Sequence, residues 1–176
     1  KPSFVALLRD ADLFVTTGLD LELWVPTLLD RAGNRKIMEG GPGYVAAYTG
    51  ITLVEVPVSL SRAGGDIHAE GNPHIHTDPI NGIIIGRSIL SGLVRVDPAN
   101  AEYYRAQALD FERRVLEATI GKELVGILTP PTAFNLLKTG QFDGFIQKTV
   151  LHGKPLADQL GGWLRQGRAF RGKQMT

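Results

Sequence analysis

The chain has 176 residues, 43% of them hydrophobic, with nineteen Lys and Arg against eighteen Asp and Glu for a formal charge of +1. That length suffices for one ordinary domain or two small lobes with real cores, and nothing in the even charge balance points to a nucleic-acid or anionic-membrane partner, so a small partner is expected. No cysteine is present, which excludes disulfides, thiolate nucleophiles and thiolate metal sites; any metal must be held by nitrogen and oxygen.

In chain order, Lys-Pro-Ser followed by FVALLRDA predicts a helix capped by Ser3, with Phe4, Leu7, Leu8 and Ala11 on its core face. DLFVTT at 12–17 reads as a buried strand ended by Gly18, and ELWVPTLLDRAG as a helix starting near Pro26 and stopped at Gly33. Helix, strand, helix implies an α/β layer. EGGPGY at 39–44 lacks the Lys-Ser/Thr ending of a phosphate loop and reads as a turn. ITLVEV at 51–56 is the next expected strand, closed by Pro57 and followed by a glycine-rich loop.

Asp78-Pro79 and Asp97-Pro98 each have the form of an N-cap aspartate with proline at the first helical position. The first predicted helix carries Ile80, Ile83, Ile84 and Leu90. The second, from Ala99 to about Thr119, carries Tyr104, Ala108, Phe111, Val115 and Ala118. About twenty residues at ~1.5 Å each would span roughly 30 Å, enough for a strut between two lobes. Beyond Gly121 come a proline break at 130–131, a short helix over 133–138, and a stripe of Leu156, Leu160, Trp163 and Leu164. Trp24 and Trp163 are expected in the core, and Arg165, Arg168, Arg171 and Lys173 on a solvated face. No apolar run is long enough to cross a bilayer, no signal peptide precedes Lys1, and the missing initiator Met suits a processed or excised chain.

Three of the four histidines, His68, His74 and His76, fall in DIHAEGNPHIHTDP, residues 66–79. Pro73 favours extended geometry, and in extended chain residues i and i+2 share a side, so His74 and His76 could face one metal, with His68 approaching across Gly71-Asn72-Pro73. Neutral imidazole suits zinc, and mixed with carboxylates it suits manganese. Three surface histidines without a ligand are the alternative. Asp78 fits a helix cap better than a ligand, Asp66 and Glu70 are possible oxygen donors, and His152 lies alone in the turn LHGKP.

GNPHIHTDP resembles the metal-binding segment of the zinc/manganese solute-binding proteins of bacterial ABC transporters. KPSFVALLRDADLFVTTGLDLELWVPTLLDRAGN, DPANAEYYRAQALDFERRV and GKPLADQLGGWLRQGRAFRGKQ resemble further passages of that family, so the likeness runs along essentially the whole chain. It implies a two-lobed α/β fold joined by a rigid interlobe helix: residues 1–97 as part of the N-terminal lobe, 98–120 as the helix, 121–176 as the start of the C-terminal lobe. It implies capture of Zn2+ or Mn2+ outside the cytoplasmic membrane, in the periplasm or its equivalent, for delivery to a membrane permease, with no chemistry performed. His74 is the ligand matched by motif; His68 sits in a form shared by some members, and many members carry Trp where this chain has His76. Family members are longer at both ends, so the resemblance implies an incomplete metal sphere and a tendency to self-associate through surface left uncovered.

Two other classes compete. His-x-His also occurs in zinc hydrolases that activate water, although a (β/α)₈ barrel needs about 250 residues. An adhesin-like interaction module would bind a surface or protein without metal.

Overall fold

Short β-branched and aromatic runs need a partner strand. In the computed structural model, which describes residues 2–54, 56 and 71–170, the run Phe14–Thr16 (β1) finds one in Tyr44–Ala46 (β2). The two are parallel, with Phe14 opposite Tyr44 and Thr16 opposite Ala46, and the ladder is extended by Phe14 N–H to Gly43 O and Ala47 N–H to Thr16 O, each 2.8 Å. A parallel pair requires a crossover, supplied by α2 (Val25–Ala32). Alternation along the strands divides the neighbours. Phe14 and Tyr44 join Leu8 and Ala11 around the buried cluster of Val25, Leu29 and Ile37, which packs α1 (Pro2–Arg9) with α2 on one face. On the other face Val45 and Leu13 lie against Gly92 of α3 (Pro79–Val96), so closely that a Cβ at Gly92 would meet Leu13 at 2.9 Å. The α/β layering expected from the sequence is therefore present here, although the described residues are mostly helical and their strands are short.

Several local expectations are corrected. Helix α1 begins at Pro2, so Ser3 lies inside it, and Phe4 and Leu7 are exposed. The sheet ends at residue 46, and residues 51–54 and 56 join no ladder, with Val54 and Val56 exposed. EGGPGY is the expected turn over residues 39–43, and its Tyr44 begins β2. Trp24 and Trp163 are 59% and 53% exposed. Trp24 precedes the first turn of α2, outside its buried stripe of Val25, Leu29 and Ala32, and the break at Gly161-Gly162 rotates Trp163 away from Leu156 and Leu160. Helix α3 is the one described helix long and apolar enough to cross a bilayer by length and composition alone, although Asn81, Arg87, Ser88 and Arg95 interrupt its apolar stretches. It carries Arg87 and Arg95, and the Arg95 guanidinium donates to the carbonyls of Pro42 and, at 3.1 Å, Tyr44.

The chain divides into two units, Lys1–Ala108 and Leu109–Thr176. Helix α4 (Ala101–Ile120) begins in the first and ends in the second. Asp97-Pro98 opens a 3₁₀ turn at Pro98–Asn100 before it, and the Asp97 carboxylate accepts from Asn100 Nδ2 at 2.8 Å and Tyr104 Oη at 2.6 Å. Later in α4 the buried positions are Glu112, Leu116, Thr119 and Ile120, whereas Phe111 is exposed, a stripe shifted by one residue from the predicted one. Asp110, Arg113, Arg114 and Glu117 form i,i+3 and i,i+4 ion pairs on the open side.

In the second unit, α5 (Lys122–Leu128), α6 (Pro130–Lys138) and α7 (Phe142–Lys148) follow one another, and Leu124, Leu128, Phe134, Phe142 and Ile146 are buried. The break at 130–131 is a helix start: Thr129, at φ 64° and ψ 150°, takes the extended ψ required before proline and both ends α5 and precedes α6. Val150–Leu151 (β3) and Lys154–Pro155 (β4) form a hairpin around His152 and Gly153, both at positive φ as a two-residue primed turn demands. Gly161 then crosses the end of α4, its N–H on Ile120 O at 2.8 Å; a Cβ at Gly121 would stand 2.7 Å from Gly161 Cα, so only glycine permits the crossing. Helix α8 (Gly162–Gly167) follows.

Candidate metal centre

The segment bearing His74 and His76 is a pinned strap leading into α3. Gly71, at φ 111°, lets the chain run close to Leu53, Val54 and Val56, and Asn72 N–H donates to Val54 O at 3.0 Å. The Asn72 side chain accepts His74 N–H at 2.9 Å, an Asx turn that sets the direction of the histidine. Pro73 and Ile75 are buried on either side of His74, while His74 and His76 are both exposed. The backbone between them is not extended: Ile75–Thr77 is a 3₁₀ turn, closed by Thr77 N–H and Oγ1 on His74 O at 3.2 and 2.8 Å. Asn81 Nδ2 holds Ile75 O at 3.0 Å. Asp78 is the N-cap of α3, Oδ1 accepting Ile80 N–H at 2.8 Å.

The consequence is a pair of imidazoles turned toward solvent with ring centroids 6.2 Å apart and planes at 72°. Two imidazoles on one tetrahedral zinc, each nitrogen about 2.0–2.1 Å from the metal, place their centroids roughly 5 Å apart, closer than the pair stands here. Among the described residues no group of three or more His, Asp or Glu could hold a metal ion. His68, with Asp66 and Glu70, lies outside the described residues. His152 stands in the hairpin turn of the second unit, the loop position expected for it.

A second polar constellation escaped the sequence reading. At the carboxyl end of β1, Gly18, Leu19 and Asp20 all adopt left-handed φ (80°, 58° and 56°), with Leu19 only 2% exposed. Glu22 holds this turn: Oε2 accepts from Thr16 Oγ1 at 2.7 Å and Gly18 N–H at 3.3 Å, and Oε1 from Thr17 N–H at 3.2 Å. Burial raises the Glu22 carboxyl, but the hydrogen bonds from Thr16, Thr17 and Gly18 outweigh it and leave the group below the ordinary glutamate range. A Cβ at Gly18 would strike the ring of Tyr48, which places the turns after β1 and β2 side by side. In open α/β sheets ligands gather at the carboxyl ends of the strands, and from that end of β2 the chain runs on toward the histidine strap.

The first unit is thus an α/β layer with an exposed histidine pair on the strap that leads into α3. The family model described as zinc-uptake complex component A, periplasmic, matches residues 1–123, and the chain belongs to that family. Among curated relatives it is 28% identical over 148 residues to the high-affinity zinc uptake system protein ZnuA of Bacillus subtilis (strain 168), an alignment covering 77% of this chain and 44% of that protein. The chain thus spans less than half the length of the curated relative it matches. No solved structure matches it.

Proposed function

We propose that this chain is part of the metal-capturing component of an ABC-type zinc uptake system, acting in the periplasm or its extracytoplasmic equivalent and handing its ion to a membrane permease. The observation that carries this reading is the family match over residues 1–123, which includes GNPHIHTDP and all of α4. Residues 1–97 belong to the N-terminal lobe, 98–120 to an interlobe helix and 121–176 to the beginning of the C-terminal lobe. The ion is cargo rather than a catalytic group, and the protein works by binding and release, not as an enzyme.

His74 is the principal ligand, His76 its neighbour on the same strap and His68 a third donor. Nitrogen-rich ligation favours zinc over manganese, which prefers more oxygen. The described site supports this through preorganisation: Asn72, Ile75, Thr77 and Asn81 fix the backbone on which the two imidazoles stand, so little order has to be imposed when a metal arrives.

Calorimetric titration of the chain with zinc and manganese, with bound metal counted by elemental analysis, tests this. Zinc binding that weakens by at least about tenfold in His74→Ala, with manganese bound less tightly than zinc, is the expected result. Equal zinc affinity in the chain and in His74→Ala overturns it.

A further inference from the structure

We infer that the cleft between the outer edge of β2 and α3 binds a small oxyanion of the phosphate class, held by Arg95, Ser91 and the Ala46 N–H. The cleft measures about 300 Å³, and its lining carries two cations, Arg87 and Arg95, and no Asp or Glu. In a chain with nineteen Lys and Arg against eighteen Asp and Glu, that is a local excess of positive charge. Arg87, Ser91 and Arg95 follow one another at intervals of four along α3, so they share one helix face. None of the histidines lines the cleft, so this site goes beyond the metal reading.

The donors are fixed in place but not exhausted. The Arg95 guanidinium is held by the carbonyls of Pro42 and Tyr44, through Nε and Nη2, and meets no carboxylate among the described residues. A guanidinium has five N–H groups, so both on Nη1 and the second on Nη2 remain for two oxygens of an anion. Along β2, Gly43 O and Ala47 N–H face β1, so by alternation Tyr44 and Ala46 turn their backbone groups to the outer edge. There Tyr44 N–H is taken by Gly41 O, Tyr44 O by Arg95 and Ala46 O by Thr49, which leaves Ala46 N–H with no acceptor among the described residues. Ser88 Oγ is committed to Thr49 O at 3.1 Å, whereas the Ser91 hydroxyl, one turn before Arg95, is exposed and has no such tie among the described residues. Buried Val45 and Ile84 line the same cleft, and an apolar wall strengthens a charge-assisted hydrogen bond beside it. A tetrahedral oxyanion presents two oxygens to the guanidinium fork and others to Ser91 and Ala46, which chloride cannot do.

The experiment is a titration of the isotope-labelled chain with sodium phosphate, in chelator and at constant ionic strength, read by backbone amide shifts, with sodium chloride as the control and Arg95→Gln and Ser91→Ala as variants. The expected result is saturable shifts at Ala46, Ser91 and Arg95 with phosphate and none with chloride. Arg95→Gln should weaken binding by about tenfold, the loss of a charge-assisted hydrogen bond, and Ser91→Ala by about threefold, that of a neutral one. Arg95 also ties down Pro42 and Tyr44, so its variant is checked by denaturant titration; Ser91→Ala removes no bond of the fold and tests the site even where Arg95→Gln unfolds. Flotation with phosphatidylglycerol vesicles separates the sources of the anion. Vesicle binding that phosphate displaces and Ser91→Ala weakens makes a lipid headgroup the ligand, and phosphate binding without vesicle binding makes it the free anion; both support the site. Absence of a saturable phosphate shift, equal shifts with chloride, shifts spread over both units, or unchanged affinity in Ser91→Ala and in a folded Arg95→Gln overturns it, and none of these results touches the zinc reading.

Discussion

Asp78 ends the histidine strap and begins α3, and its carboxylate is committed to Ile80 N–H. Its contribution is therefore structural: Asp78→Ala should lower stability by about 1 kcal/mol, the usual cost of a lost N-cap, whereas Asp78→Asn should retain most of it. Denaturant titration checks both, and zinc affinity of Asp78→Asn should equal that of the parent. Glu22 offers a pH test. Its folded-state pKa lies below the ordinary value, so its stabilising effect is present above the unfolded pKa and is lost as pH falls through the folded one. Glu22→Gln should flatten the acid limb of a stability-against-pH curve, and an unchanged limb would count against the carboxylate as the source. Asp78 could be read in advance because Asp-Pro is a local signal. Glu22 could not, because what it holds is a left-handed turn at Gly18-Leu19-Asp20, and leucine at positive φ carries no mark in a sequence.

Elements were legible where one period ran long enough to dominate. Helix α3, with Ile80, Ile83 and Ile84 buried behind an Asp-Pro start, is the clearest case. β2 was invisible because its three residues are too few to show alternation, and its pairing is decided by β1, some thirty positions earlier in the chain. The Asp97-Pro98 start is half right: it opens a 3₁₀ turn before α4, and the carboxylate's main donors are the side chains of Tyr104 and Asn100. The hydrogen bond from Tyr104, then that from Asn100, holds Asp97 below the usual aspartate range, and the same contact with Asp97 raises Tyr104. The two signs give opposite limbs. The Asp97 contribution disappears as pH falls below about 4 and the Tyr104 contribution as pH rises above about 10. Tyr104→Phe should weaken both dependences, which thermal melts at graded pH would show. Gly161→Ala should cost about 1–3 kcal/mol, because the added methyl has to displace backbone at the end of α4. A loss below a few tenths in denaturant titration would mean that the crossing relaxes freely.

At the scale of the molecule, the candidate site belongs to the first unit alone, since residues 71–96 lie within Lys1–Ala108. Zinc should accordingly slow hydrogen exchange of amides from Asn72 through the first turns of α3 and leave those of α5, α6 and α7 unchanged; slowing spread evenly over both units would contradict a site confined to the strap. The family was readable from GNPHIHTDP and the passages around it because those segments combine glycine, proline, histidine and caps at fixed spacing. The partners of His74 were less so: the 3₁₀ turn replaces the extended geometry that spacing suggested, and exposure rather than alternation brings the two rings to one side.

The crossing of Gly161 over Gly121 also bears on how fast the second unit assembles. Helices α5, α6 and α7 lie next to their immediate sequence neighbours, contacts that form on the short timescale of local closure. The hydrogen bond from Gly161 to Ile120 joins positions far apart in the chain, so closing its loop costs more chain entropy than the local contacts do. That single glycine contact is where the folding barrier of the unit should sit, so a substitution there should slow refolding, whereas truncating an apolar side chain within α6 should chiefly hasten unfolding.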